Sequence, residues 1–149
     1  MTYLLIAVII AVALAPLLHF VPSKRQQKQA GMREAAALAG LFVEFRDLPG
    51  SARERAAQGD RREQTIYYGK RLRASRGEAR SQCAWRPLEG RWEGVELRNV
   101  APALLAQLPA GILAASVDEG SCGVYWEEQG DKESVARIAE ILHRWEGEL

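Results

Sequence analysis

The chain has 149 residues, 48% of them hydrophobic and 26% charged, with a formal net charge of +1. That length supports one domain with a real core and is too short for two ordinary ones; two cysteines make no small-protein disulfide framework, and Cys83, Cys122, His19 and His143 do not stand at zinc-ligand spacing. The near-neutral total hides an asymmetry: residues 24–98 hold 17 Lys/Arg against 10 Asp/Glu, a net of +7, and residues 99–149 hold 3 against 9, a net of −6.

Thr2 to Val21 form an apolar run with no acidic or basic side chain except His19. As a helix rising about 1.5 Å per residue it would span about 30 Å, the thickness of a hydrocarbon core, so residues 1–22 read as a transmembrane anchor. Three features argue against a cleaved signal peptide. Met1 to Tyr3 carry no Lys or Arg, Pro16 would follow a cut after Ala13-Leu14-Ala15, and apolar residues continue to Val21. Basic residues follow the run and none precedes it, which orients the span with the soluble part in the cytoplasm. The expectation is a single-pass protein of a bacterial inner membrane, with Lys24, Arg25, Lys28 and Arg33 at the membrane surface beside anionic lipid.

Pro22-Ser23 offers an N-cap for a basic juxtamembrane helix over residues 23–40, and Gly40 a C-terminal stop. The soluble domain then covers residues 41–149. Leu41, Val43 and Phe45 alternate with Phe42, Glu44 and Arg46, the pattern of a half-buried strand. Residues 51–63 lack an apolar stripe and read as a loop or frayed helix. Thr65 to Leu72 is rich in β-formers, and a turn around Gly77 follows. Strands over Ser81–Arg86 and Trp92–Arg98, joined by Pro87-Leu88-Glu89-Gly90, would complete an antiparallel meander packed by Tyr67/Tyr68 and Trp85/Trp92. Pro102 opens a short helix that Pro109 stops.

Ile112–Val117 and Cys122–Glu127 are apolar runs joined by Asp118-Glu119-Gly120-Ser121, a hairpin with one face in the core. Gly130-Asp131 caps a last helix from Lys132 to about Glu146, on which Val135, Ile138, Ile141, Leu142 and Trp145 make a narrow apolar stripe. The fold class expected is α+β: a transmembrane helix, then a small domain with an antiparallel sheet and a C-terminal amphipathic helix packed on it.

The N-terminal run followed by Pro22, Arg25-Gln26-Gln27-Lys28 resembles the YajC family of preprotein translocase accessory subunits over residues 1–40. The layout also resembles uncharacterised small bitopic bacterial membrane proteins. The resemblance implies an accessory role beside a membrane complex and supplies no catalytic residue.

No phosphate-cradling glycine loop, His-Glu-x-x-His or Gly-x-Ser-x-Gly pattern is present. His143 has no identifiable partner for acid–base work. Glu127 and Glu128, neighbours beside a strand, point to opposite faces and read as solvated. Cys83, near Arg80 and Arg86, could be a reactive thiol, although a small buried cysteine is the commoner outcome. The expected function is therefore a non-enzymatic accessory or adaptor protein without a cofactor, binding a larger membrane complex or another copy of itself. Tyr67, Tyr68, Trp92 and Tyr125 are its candidate partner contacts. The alternative is an anionic-lipid or nucleic-acid binding module on residues 24–80, where Glu54, Asp60, Glu63 and Glu78 weigh against nucleic acid.

Overall fold

The computed structural model describes residues 1–18, 22–50, 64–73, 81–96 and 99–149. The chain falls into two compact units, Met1–Ala30 and Gly31–Leu149. The loop expected over 51–63, the turn around Gly77, and His19 lie outside the described residues.

In the first unit α1 runs from Thr2 to Leu18, and α2 (Lys24–Leu38) begins here and crosses the boundary. A capping box opens α2: Gln26 N–H donates to Ser23 Oγ (3.2 Å) and Ser23 N–H to Gln26 Oε1 (2.9 Å).

The anchor expected over residues 1–22 is overturned. Among the described residues, no helix is long and apolar enough to cross a membrane. The described helix α1, Thr2–Leu18, has 17 residues, about 26 Å of rise against the roughly 30 Å of a hydrocarbon core. The transmembrane and inner-membrane placement and the cytoplasmic orientation deduced from the anchor fall with it. So does the reason for setting Lys24, Arg25, Lys28 and Arg33 against lipid.

The second unit is α+β. Its six-stranded sheet has the order β1-β2-β6-β5-β3-β4, with strands Phe42–Asp47, Gln64–Arg71, Cys83–Leu88, Arg91–Gly94, Ile112–Val117 and Ser121–Trp126 numbered in chain order. Every pairing is antiparallel. The expected meander is a further correction, because β2 pairs with β1 and β6 and never with β3. The β5–β6 hairpin is inserted between them. Its position follows from its composition: all six residues of β6 are buried, so it needs cover on both faces and both edges and takes the middle of the sheet. β3 and β4 turn back through Glu89 and Gly90, both with positive φ (47° and 80°), the signature of a two-residue type I′ hairpin.

One sheet face carries the main core. Tyr68, Ala115, Cys122, Val124 and Trp126 are buried there beneath α3 (Lys132–Glu148). The α3 stripe of Val135, Ile138, Ile141, Leu142 and Trp145 is at most 2% exposed, and each such side chain contributes about 1.5–3 kcal/mol by leaving water. Met32 and Ala36 of α2 and Leu104 and Leu105 of the 3-10 helix Ala103–Gln107 complete this layer. The aromatics pair as Tyr68 with Trp126 (5.4 Å, edge-on) and Trp85 with Trp145 (5.8 Å), in place of the expected Trp85 with Trp92. Asp131 caps α3 reciprocally with Ser134. Gly40, with φ of 75°, follows the end of α2.

Candidate functional site

The opposite face of the sheet holds a smaller cluster of Tyr67, Ala114 and Tyr125, flanked by Phe42, Leu48 and Leu113. Gly69 and Gly123 sit directly opposite each other on β2 and β6. With no side chains of their own, they leave a floor on which Tyr67 and Phe42 lie: a Cβ on Gly123 would come within 2.4 Å of Tyr67 Cζ, and one on Gly69 within 2.4 Å of Phe42 Cζ. Tyr67 and Tyr125 pack at 5.0 Å between centroids.

Arg46, from β1, stacks its guanidinium 4.0 Å from the centre of the Tyr67 ring, a cation–π contact strengthened by the limited access of water. Its Nη1 donates to Asp118 Oδ2 at 3.0 Å, and its Nε meets Glu44. Asp118 begins the β5–β6 turn, where Oδ1 accepts from the N–H of Gly120 (2.9 Å) and of Ser121 (2.6 Å). Ser121 Oγ donates to Asp118 Oδ2 (2.9 Å) and lies 3.2 Å from the Tyr67 hydroxyl. Arg46, Asp118, Ser121 and Tyr67 thus form a continuous network. Burial would raise the Asp118 pKa, but the donors from Ser121, Gly120 and Arg46 outweigh it and hold the carboxyl below its ordinary value. Burial pushes the Tyr67 phenol far above its usual range.

A pH dependence follows from the lowered Asp118 value. A carboxylate whose folded pKa is depressed stabilises the fold fully above its unfolded value, near 3.8, and that contribution disappears as pH falls through the folded value. Asp118 is 35% exposed, so screening limits it to about 1 kcal/mol. Asp118→Asn should therefore be about 1 kcal/mol less stable than wild type at pH 6 in urea denaturation, with the gap closing below about pH 4. A gap that persists undiminished at pH 2.5 would assign the effect to something other than this charge.

A cleft of about 470 Å³ opens beside the network, its lining including Arg46, Asp118, Ser116, Tyr125, Cys83 and Asn99. Asn99 Nδ2 donates to Cys83 Sγ at 2.9 Å. Cys83, Val117 and Cys122 occupy one row across three strands. The two cysteines are therefore about 9–10 Å apart, two strand spacings, beyond the reach of a disulfide. Cys122 is a buried core thiol, pushed up to about 12 chiefly by desolvation. His143 lies on α3, where its Nδ1 is 2.6 Å from Ala139 O and its Nε2 3.2 Å from Lys70 Nζ. Among the described residues no group of three or more His, Cys, Asp or Glu could hold a metal ion.

The candidate contact residues are not brought to one place. Tyr67 and Tyr125 are buried in the aromatic cluster, Tyr68 is buried on the opposite face, and Trp92 is half-buried on β4. Lys24, Arg25 and Lys28 are exposed on the first half of α2. Arg33 is engaged: its Nε and Nη2 each donate to Glu128 at 2.9 Å, while Tyr68 OH donates to the same carboxylate at 2.8 Å. Glu128, expected to be solvated, is a buried residue with a left-handed φ of 54°. Its neighbours in the sequence give no sign of this, because the partner is 95 positions away. Described cations elsewhere in residues 24–80 are similarly occupied, Lys70 by Glu146 and Arg71 over the Phe42 ring. Comparison with known proteins found no matching family model, curated protein or solved structure.

Proposed function

We propose that the chain is a non-enzymatic adaptor that binds a protein partner through its N-terminal helix. The observation behind this reading is the exposure of α1. Tyr3, Leu4, Leu5, Ile6, Val8, Ile9, Ile10 and Val12 are 46–88% exposed, and α1 contains no charged residue. A helix apolar on all sides requires cover, and a contiguous exposed apolar surface marks an interaction site. The second unit is compatible with the same reading, since among the described residues the polar groups beside its cleft engage one another, Asp118 with Arg46 and Ser121, and Asn99 with Cys83.

The test is affinity purification of the full chain after chemical crosslinking in cells, alongside a Leu5→Asn/Ile9→Asn variant. A reproducible, near-stoichiometric partner should be recovered with the wild type and lost with the variant. Recovery of the chain alone in both, or of the same partner in both, would remove the reading.

A further inference from the structure

The two edges of the sheet are unlike. β4 is only four residues long, and a short edge strand resists pairing. β1 has six residues, Phe-Val-Glu-Phe-Arg-Asp, without Pro or Lys. Among the described residues no strand pairs with its outer edge, and Phe45 on it is 59% exposed. An edge of this kind presents a row of backbone donors and acceptors to another strand.

We propose that β1 pairs antiparallel with β1 of a second copy of this chain about a two-fold axis through Phe45, joining two six-stranded sheets into one of twelve. The register follows from charge. A two-fold perpendicular to the sheet sets each residue opposite one on the same face, so the axis passes through a residue, and the choices differ in what they oppose. Centring on Glu44 puts two carboxylates together, and centring on Arg46 puts two guanidiniums together. Centring on Val43 shortens the overlap and opposes Phe42 to Glu44. With Phe45 at the axis, Glu44 of each protomer faces Arg46 of the other, so the Glu44–Arg46 pair already present within each chain joins its symmetry mate in a four-charge cluster of alternating sign on the Tyr67 face. The two exposed Phe45 rings meet on the opposite face, each beside its own Arg33, whose guanidinium lies 5.9 Å from the ring. Opposite charges and aromatic pairs directly across strands favour pairing, and like charges oppose it. Each β1 edge is used once, so the assembly closes as a dimer.

This interface uses other residues than the α1 docking proposed above, and its test runs on the full chain in a non-ionic detergent that occupies the exposed side chains of Tyr3–Val12. Sedimentation should show a concentration-dependent dimer that Glu44→Lys weakens by about tenfold or more, since both cross-strand pairs become repulsive. Phe45→Cys should crosslink into a disulfide dimer under mild oxidation, whereas Val43→Cys, set opposite Asp47 of the other protomer, and the wild type should not. A chain that stays monomeric at tens of micromolar overturns the proposal. So does a dimer that tolerates Glu44→Lys and forms no Phe45→Cys crosslink, because its interface would lie elsewhere. Neither result touches the capture of a partner by α1.

Discussion

Arg33→Ala is expected to lower folding stability by about 3–5 kcal/mol, a large part of the total for a domain of this size. The reason lies at the other end of the contact. The Glu128 side chain is 0% exposed, and both its oxygens accept from Arg33, with Tyr68 adding a donor to Oε1. Removing the guanidinium leaves a buried carboxylate with the Tyr68 hydroxyl as its one remaining side-chain donor among the described contacts. Arg33 is itself 38% exposed, so water can enter the vacated space and the loss should fall toward the lower end of that range. The change also loosens the second half of α2, whose Met32 and Ala36 are buried in the main core. Urea denaturation followed by tryptophan fluorescence reads the effect. A double Arg33→Met/Glu128→Met variant should regain most of it, because the cost arises from a charge left unpaired and much less from the loss of a net-favourable pair. A single variant within 1 kcal/mol of wild type would show that Glu128 is satisfied from elsewhere.

What was legible in the sequence was local. The α3 stripe, the stop at Gly40, the cap at Ser23 and the β5–β6 hairpin are set by residues a few positions apart, and the structure places each close to the expected position. Strand order was not legible from neighbouring segments. Proximity along the chain suggested β2 beside β3, while the physical requirement was to enclose β6, whose residues are buried on both faces. The unbroken apolar character of Cys122 to Trp126 was the available signal. Tyr67 and Tyr125, candidate partner contacts by sequence, are buried in the aromatic cluster. Gly69 and Gly123, inside strand patterns, were the sign of another use, since a strand glycine marks close approach by other atoms. The Arg33–Glu128 pair had no local signature, because either residue alone looks like any surface charge. The N-terminal run is apolar enough in sequence to suggest a span, but among the described residues no helix is long and apolar enough to cross a membrane.

The glycine floor beneath Tyr67 gives the second large effect. Gly123→Ala should cost about 3 kcal/mol or more, at or beyond the upper end of ordinary overpacking. The added methyl would fall 2.4 Å from Tyr67 Cζ, 2.5 Å from the Tyr67 hydroxyl and 2.5 Å from the Tyr68 carbonyl oxygen. The ring cannot simply lift away, because Arg46 covers it and Tyr125 packs against it. The carbonyl belongs to the ladder between β2 and β6, so relief would also require the central strands to shift. Gly69→Ala should be milder. Its close atoms are the Phe42 and Tyr67 side chains, with no backbone atom among the three nearest, and Phe42 lies on an edge strand free to adjust. Gly147→Ala, near the end of α3 with nothing within 4 Å, should be neutral or slightly stabilising. Thermal unfolding of the three variants should give the order Gly147→Ala, Gly69→Ala, Gly123→Ala from highest to lowest midpoint. Shrinking the ring in a Tyr67→Leu/Gly123→Ala double variant should recover part of the Gly123→Ala loss, because contacting sites couple non-additively. Strict additivity of the two losses would mean that Tyr67 does not rest on that glycine.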